Sequence, residues 1–376
     1  MKKSLLALAA LAAAGSASAQ SSVTLYGAID NAYTRLGGSI ASAKGLSSGG
    51  GGVIGSKLGF KGTEDLGGGL KAGFTLEMGL ETSTGANGVP GSNNNIGLIG
   101  TGALRFDRQA TVSLMGNFGE VRLGRDLATS FINDVIYEPF LTYGVGSSLN
   151  FPLGVVADAT NAASLFRVSN AISYLTPGTL GGFSAQVQYA LSEQASTTTP
   201  QDKDGRYVGA RVAYDKGPVS VSASAGKATF TAPAGTSLDR STGNVGGSYD
   251  FGVARLMAEY ARFKAENVSP GADLKTTVYT LGLVAPAGPG AVKVGYSRGT
   301  LKTTGIANEP RASKIALGYD YSLSKRTGLY ATVARVSNAN GATVNVGSGG
   351  VAGLGGAISG PNSKSTGYDI GVRHSF

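Results

Sequence analysis

The stretch LKAGFTLEMGLE (residues 70–81) decides the fold, because apolar and polar side chains alternate along its whole length. One face carries Leu70, Ala72, Phe74, Leu76, Met78 and Leu80, and the other carries Lys71, Gly73, Thr75, Glu77, Gly79 and Glu81. A period of two residues is that of a β-strand with one apolar and one polar face. Residues 183–192 and 314–321 repeat the pattern, and no stretch of comparable length has helical periodicity. The chain is therefore predicted to be all-β.

The connections between the predicted strands alternate between short turns and long segments rich in Gly, Ser, Asn and Thr. Long connections are expected at 37–52, 83–102, 128–165, 193–204, 231–240, 266–273, 301–310 and 340–362. The runs between the connections give 16 strands. Short turns at one rim, long loops at the other and an even strand number are typical of an outer-membrane barrel, which must close because hydrocarbon leaves an open sheet edge unpaired. The predicted fold is a 16-stranded antiparallel transmembrane β-barrel with short periplasmic turns, long extracellular loops and a water-filled lumen.

The composition of the 376 residues agrees with a barrel and excludes several kinds of site. There is no cysteine, so thiolate-held zinc, iron–sulfur clusters and disulfides are excluded. Only 15% of the residues are charged, against about 25% in soluble domains. The mean hydropathy of +0.05 is nevertheless close to neutral, as expected when apolar and polar faces alternate. We expect neither a cofactor nor a metal.

The N-terminal residues 1–19, MKKSLLALAALAAAGSASA, have the organisation of a cleaved signal peptide. Two lysines precede a short apolar run, which ends in the small-x-small tripeptide Ala17-Ser18-Ala19. Cleavage there leaves residues 20–376 as the barrel and lowers the formal charge from +9 to +7.

Four segments resemble the trimeric general porins of Gram-negative outer membranes, most closely the β-proteobacterial branch. They are SSVTLYGAIDNAY (21–33), SKLGFKGTEDLGGGLKAGFTLEMG (56–79), DRQATVSLMGNFGEVRLGRD (107–126) and GYDIGVRHSF (367–376). The resemblance implies a homotrimer that allows passive diffusion of small hydrophilic solutes and ions, with the third extracellular loop, about 128–165, folded into the lumen. It also implies that the last strand, ending at Phe376, carries the signal read by the barrel assembly machinery.

The same resemblance assigns the residues of the pore constriction. It implies that the loop acids Asp134 and Glu138 face a ladder of basic wall residues, Lys57, Arg108 and Arg167. Strand parity independently places Lys57 and Arg167 on the polar face, whereas it groups Arg108 with the outward-facing Ala110 and Val112. The basic ladder and the positive net charge predict a weak preference for anions.

Other functions remain as alternatives. A substrate-specific channel for an organic acid, phosphate or sugar is the main one, and a structural or adhesive barrel is another. We predict no enzymatic activity, because the one histidine, His374, lies on the lipid-facing stripe without a nucleophile partner. Outer-membrane lipid and lipopolysaccharide are expected partners, and nucleic acid is not, because no basic cluster is interleaved with aromatic residues.

Overall fold

The computed structural model describes residues 22–48, 51–87, 105–151, 166–192, 203, 205–231, 237–269, 272–347 and 357–376. The predicted signal peptide (1–19) lies outside these residues. The described part of the chain contains eighteen β-strands. They are β1 (Ser22–Gly37), β2 (Ser42–Ser47), β3 (Lys57–Gly67), β4 (Leu70–Glu81), β5 (Ala86–Asn87), β6 (Gln109–Gly116), β7 (Gly119–Leu127), β8 (Arg167–Leu175), β9 (Phe183–Ala190), β10 (Tyr207–Lys216), β11 (Val219–Thr231), β12 (Ser237–Asp250), β13 (Arg255–Ser269), β14 (Ala272–Ala287), β15 (Gly290–Thr303), β16 (Arg311–Ser322), β17 (Thr327–Ala339) and β18 (Lys364–Ser375).

Sixteen of these strands form the wall of a closed antiparallel barrel, which confirms the predicted fold. Each wall strand pairs with its neighbours in the chain, and β1 closes the sheet by pairing with both β18 and β3. The two remaining strands, β2 and β5, are short and lie in the connections that follow β1 and β4. Closure leaves no free edge, so every wall strand has a partner on each side.

The connections alternate in length as predicted over most of the barrel, with tight turns such as Gly67–Gly69 at one rim. The three glycines there have φ values of 83°, 62° and 82°, a left-handed conformation that other residues seldom adopt. The long loop predicted at 266–273 is largely strand instead, because β13 continues to Ser269 and β14 starts at Ala272. The ion pairs of Lys264 with Glu266 and Asp273 stabilise this extension of the hairpin.

The two faces of the wall differ in exposure as the alternating sequence requires. On β16, Ile315 points outward and is 60% exposed, whereas Ala316 points inward and is 2% exposed. Inward residues are covered because residues 128–151 of the connection between β7 and β8 lie inside the barrel; we call this connection loop L3. The largest cluster of buried apolar side chains combines L3 residues with wall residues, including Phe140 and Val145 with Phe263 and Val336.

The two short helical elements with described bounds lie in L3. A 3-10 turn (Thr129–Phe131) leads into the single-turn helix α1 (Ile132–Ile136). None of the described helices has the length and apolar character needed to cross a membrane.

Candidate functional site

Loop L3 is fixed to the inner wall by hydrogen bonds as soon as it leaves β7. The Gln188 side chain on β9 donates to the Leu127 carbonyl (3.1 Å) and accepts from the Thr129 N–H (3.2 Å). The Tyr207 hydroxyl on β10 lies 3.0 Å from the hydroxyls of both Thr129 and Ser130. Buried polar groups are stable only when they are paired, and here each wall group pairs with the loop.

Helix α1 is held by an amide cluster on the next strands. The Asn133 side chain donates to Asn244 on β12 (3.0 Å) and accepts from Arg211 on β10 (2.8 Å) and Ser222 on β11 (2.6 Å). One L3 residue thus ties three wall strands together.

Glycines on the inner wall make room for the large side chains of L3. A Cβ atom at Gly246 would overlap the Tyr137 ring, and one at Gly282 would lie 2.6 Å from Pro139. A Cβ atom at Gly318 would lie 2.9 Å from the Phe140 ring. Real Cβ contacts are longer than this, so the loop can lie flat on β12, β14 and β16 only because these positions lack a side chain. The L3 aromatics therefore pack against the wall.

The acidic residues of L3 are held by the protein itself. Both Glu138 carboxylate oxygens accept backbone N–H groups of the loop, from Thr142 (2.9 Å) and from Ser148. Asp134 is hydrogen-bonded to Asn244 and to the Glu259 carboxyl group on β13. Burial raises the pKa of both Asp134 and Glu138, because removal from water disfavours the charged form.

The structure corrects the expectation for Glu138, which is 2% exposed and does not present its carboxylate to open space. Its carboxylate closes the turn at 138–148 instead. Lys314 on wall strand β16 is a cation close enough to act on the Glu138 carboxylate. Its ammonium group donates to the Ser147 carbonyl and to Asn150 Oδ1 (3.3 Å). Sequence reasoning missed this use because the order Glu-Pro-Phe does not show which way the loop turns.

The three predicted basic residues lie together on the wall beside L3. Lys57, at the start of β3, has its Nζ 3.2 Å from Glu77 Oε2 on β4. Arg108, just before β6, places Nε 2.6 Å from Glu77 Oε1 and donates from Nη2 to the Tyr143 hydroxyl of L3 (3.4 Å). Arg167, at the start of β8, donates from Nε to the Arg108 carbonyl (2.9 Å). The three residues and Glu77 form a group that we call the basic cluster.

The side chain of Arg108 contacts Glu77 and the L3 residue Tyr143, rather than pointing outward as strand parity alone predicts. β6 begins only at Gln109, so the alternation of the strand does not extend to Arg108. Although burial opposes it, the Arg108 guanidinium lowers the pKa of the Tyr143 hydroxyl below its ordinary value. Tyr143 thus brings the loop to the basic wall.

The three cations of the basic cluster differ in whether they form an ion pair with an acidic side chain. Glu77 pairs with both Lys57 and Arg108 and offsets part of their charge. Among the described residues, no carboxylate forms an ion pair with Arg167. Arg125 on β7 adds a further cation nearby, with Nε 2.6 Å from the Asp107 carbonyl. The nearby Asp107 carboxylate offsets part of the Arg167 charge, and the adjacent Arg108 and Arg125 add to the positive field.

Sequence reasoning placed Glu77 on the polar face but gave it no role. The available signal was its position on the stretch 70–81, directly across from Gly59 and two residues from Lys57 on β3. Among the described residues there is no group of three or more acidic or histidine side chains that would hold a metal ion.

The last residue, Phe376, completes the pairing between the ends of the barrel. Its N–H donates to the Gly27 carbonyl (3.1 Å), and its own carbonyl accepts from the Gly27 N–H (3.1 Å). The Phe376 ring covers Gly27, where a Cβ atom would overlap the ring.

Comparisons with known proteins agree with this architecture. A family model described as Gram-negative porin matches residues 5–341. The chain is 41% identical to Outer membrane porin protein 32 of Delftia acidovorans and 30% identical to an outer membrane porin protein of Bordetella pertussis, and each alignment covers 100% of both chains. It is also similar to the solved structure of the anion-selective porin from Comamonas acidovorans, with a TM-score of 0.80 and 37% identity over 95% of this chain and 100% of that one.

Proposed function

The chain belongs to the Gram-negative porin family, and from that premise we propose that its basic cluster makes the channel prefer anions to cations. The protein is a passive outer-membrane channel for small hydrophilic solutes and ions. In this proposal, the preference for anions arises from cations beside the lumen that have no acidic partner. Arg167 carries this proposal, because it has no carboxylate partner among the described residues, whereas Lys57 and Arg108 share Glu77. The similarity to a structure described as an anion-selective porin supports the same conclusion.

The aromatic residues of L3 favour a general channel over one that binds sugars. Tyr137 is 0% exposed, and Phe140 is also buried, because both rings lie against wall glycines. Rings that are covered in this way are not accessible for stacking on a passing solute.

Planar-bilayer recording in a KCl gradient tests the anion preference. The wild-type reversal potential should indicate more permeation by chloride than by potassium. Arg167→Gln should reduce the ratio of chloride to potassium permeability by roughly half or more, because the local field loses a positive charge that no ion pair offsets. Lys325→Gln, on an exposed turn at the other rim, is the matched control and should leave the ratio unchanged. A wild-type preference for potassium would contradict the proposal.

We also propose that the protein is a homotrimer assembled through the ends of the chain. The outward faces of β1 and β18 carry exposed apolar side chains, among them Val23, Leu25, Ile370 and Val372. The same recordings test this, since a trimer closes in three equal steps for each insertion. The last strand with Phe376 is further proposed as the segment that the assembly machinery recognises, and Phe376→Ala should then lower the yield of folded protein in the outer membrane.

A further inference from the structure

The chain between β2 and β3 turns onto the inner wall at residues 51–56, which we call the inner segment. Five of its six residues are buried, and Ile54 is half-buried. The segment continues the pairing of β3 with β4, since the Leu80 N–H donates to the Ser56 carbonyl (3.0 Å). Its other contacts are with inward-facing side chains of the wall and with L3. The inner segment is thus a second piece of chain, besides L3, that lies against the inside of the barrel.

Asp30 on β1 fixes the inner segment through its buried carboxylate. One carboxylate oxygen accepts the backbone N–H groups of Val53 (2.8 Å) and Ile54 (2.9 Å), and the other accepts the Tyr330 hydroxyl of β17. The Asp30 N–H donates to Ser56 Oγ (2.9 Å), which itself donates to the Asp30 carbonyl (3.1 Å). A carboxylate that is 0% exposed and hydrogen-bonded in this way holds the segment at a defined place on the wall.

The inner segment is in direct contact with L3. A Cβ atom at Gly144 of L3 would overlap the Gly52 carbonyl oxygen, so the two backbones touch. A second buried carboxylate, that of Asp369 on β18, fixes the L3 side of this contact, because it accepts the Val145 N–H (2.8 Å). β1 and β18 pair with each other, so the two pieces of chain are held together at the junction between the ends of the barrel.

Gly55 brings the inner segment against the basic cluster. A Cβ atom at this position would lie 2.9 Å from the Tyr143 hydroxyl and 3.0 Å from Arg108 Nη1. The same two side chains are joined by the hydrogen bond from Arg108 Nη2 to the Tyr143 hydroxyl (3.4 Å). Because Glu77 holds Arg108 Nε at 2.6 Å, the guanidinium is confined by a carboxylate at one end and by the inner segment and L3 at the other.

We propose that Asp30, acting through the inner segment, positions the Arg108 guanidinium in the pore and so sets the width of the channel and its ion preference. A long side chain loses much conformational entropy when it is ordered, so a cation keeps one position only where neighbouring groups confine it. Asp30 and Gly55 are positioning residues, because both are buried and act through Arg108. The proposal rests on the proposed function, in which the basic cluster sets the anion preference.

Gly55→Ala tests the position of the guanidinium directly. The atoms nearest to the added methyl group belong to the ends of two flexible side chains, so the barrel should fold in wild-type yield while Arg108 and Tyr143 move off the inner segment. In planar-bilayer recordings the single-channel conductance should fall by roughly a third, and the ratio of chloride to potassium permeability should rise about 1.5-fold. Gly37→Ala on β1 is the matched control and should have neither effect, because a Cβ atom there meets the Thr366 carbonyl oxygen at an ordinary 3.9 Å.

A double-variant cycle shows whether the effect passes through Arg108. In the Arg108→Gln background, Gly55→Ala should leave the permeability ratio where Arg108→Gln alone puts it, because the displaced charge is gone. An equal change in both backgrounds would overturn the proposal, as would wild-type conductance and ratio in Gly55→Ala. If the wild-type channel prefers potassium, the proposed anion preference fails. The fall in conductance still decides the positioning role, because it depends on where the side chains lie and not on the sign of the selectivity.

Two variants of Asp30 separate its hydrogen bonds from its charge. Asp30→Ala and Asp30→Asn both remove the carboxylate, but the Asn amide still accepts the N–H groups of Val53 and Ile54 and donates to the Tyr330 hydroxyl. Asp30→Ala should therefore lower the permeability ratio about twofold relative to Asp30→Asn, because only the alanine variant frees the inner segment. Equal ratios in the two variants would overturn the role of Asp30. If Asp30→Ala does not fold, Gly55→Ala and its cycle decide.

Discussion

The inner wall formed by β3, β4 and the starts of β6 and β8, the open wall, carries its basic side chains at partly exposed positions. The wall from β11 to β18, the covered wall, lies under L3 and includes buried charged groups such as Lys314 and Glu259. Lys57 keeps a third of its side chain exposed (32%). Lys314 is buried, and its ammonium group donates to L3 carbonyl and amide oxygens. The same residue type therefore stays partly exposed on one wall and attaches the loop on the other, and the covering loop decides which.

The largest expected effect comes from breaking the attachment of L3 on the covered wall. In Gly246→Ala the new methyl group would overlap the Tyr137 ring, and the loop must move toward the lumen. Overpacking of this kind costs about 1–3 kcal/mol of unfolding free energy. Single-channel conductance should fall, and the midpoint of thermal unfolding should drop by several degrees.

Gly243→Ala on the same strand is the matched control, because nothing lies within 4 Å of a Cβ atom there. It should leave both conductance and stability at wild-type values. Equal behaviour of the two variants would show that wall glycines do not set the position of L3.

A smaller effect is expected on the open wall, where replacing Glu77 should change the anion preference of the channel. In Glu77→Gln, Lys57 and Arg108 lose their common carboxylate, and the positive field at the lumen increases. Anion preference should rise by roughly twofold, as expected for one elementary charge at a partly hydrated site. The measurement is the reversal potential in a KCl gradient, with Glu64→Gln on the exposed part of β3 as the control. A fall in anion preference would mean that Glu77 acts mainly by holding Arg108 in place.

The sequence predicts the open wall better than the covered wall. The alternation of apolar and polar residues in segments such as 70–81 and 314–321 is sufficient to predict the number of strands and the apolar and polar face of each. The long connection between two such segments predicts the position of L3 in the chain. Family motifs brought Lys57, Arg108 and Arg167 to one place. These features depend on local periodicity or on short motifs, both of which are visible in a single chain.

The covered wall depends on contacts between residues far apart in the chain, and so it was missed. Nothing near Glu138 indicates that Ser148 and Thr142 donate to its carboxylate, or that Lys314 lies close by. Glycines such as Gly246 and Gly318 look like ordinary strand residues until the loop lies on them. The extension of β13 and β14 into the predicted loop likewise depends on a contact across the hairpin, the ion pair between Lys264 and Asp273.

The smallest expected effect concerns the pH dependence of the covered wall. Burial raises the pKa of Asp134 to about 7, from about 4 in an unfolded chain. Between these values the folded protein retains a proton that the unfolded chain has lost, so stability must decrease as pH rises through this range.

Asp134→Asn keeps the size of the side chain but removes the ionisation. It should therefore flatten the dependence of the unfolding midpoint on pH, with a midpoint a few degrees above wild type at pH 8 and a value close to wild type at pH 4. Asp215→Asn, at an exposed position on β10, should leave the wild-type slope intact, and a slope that survives in Asp134→Asn would place the titrating group elsewhere on the covered wall.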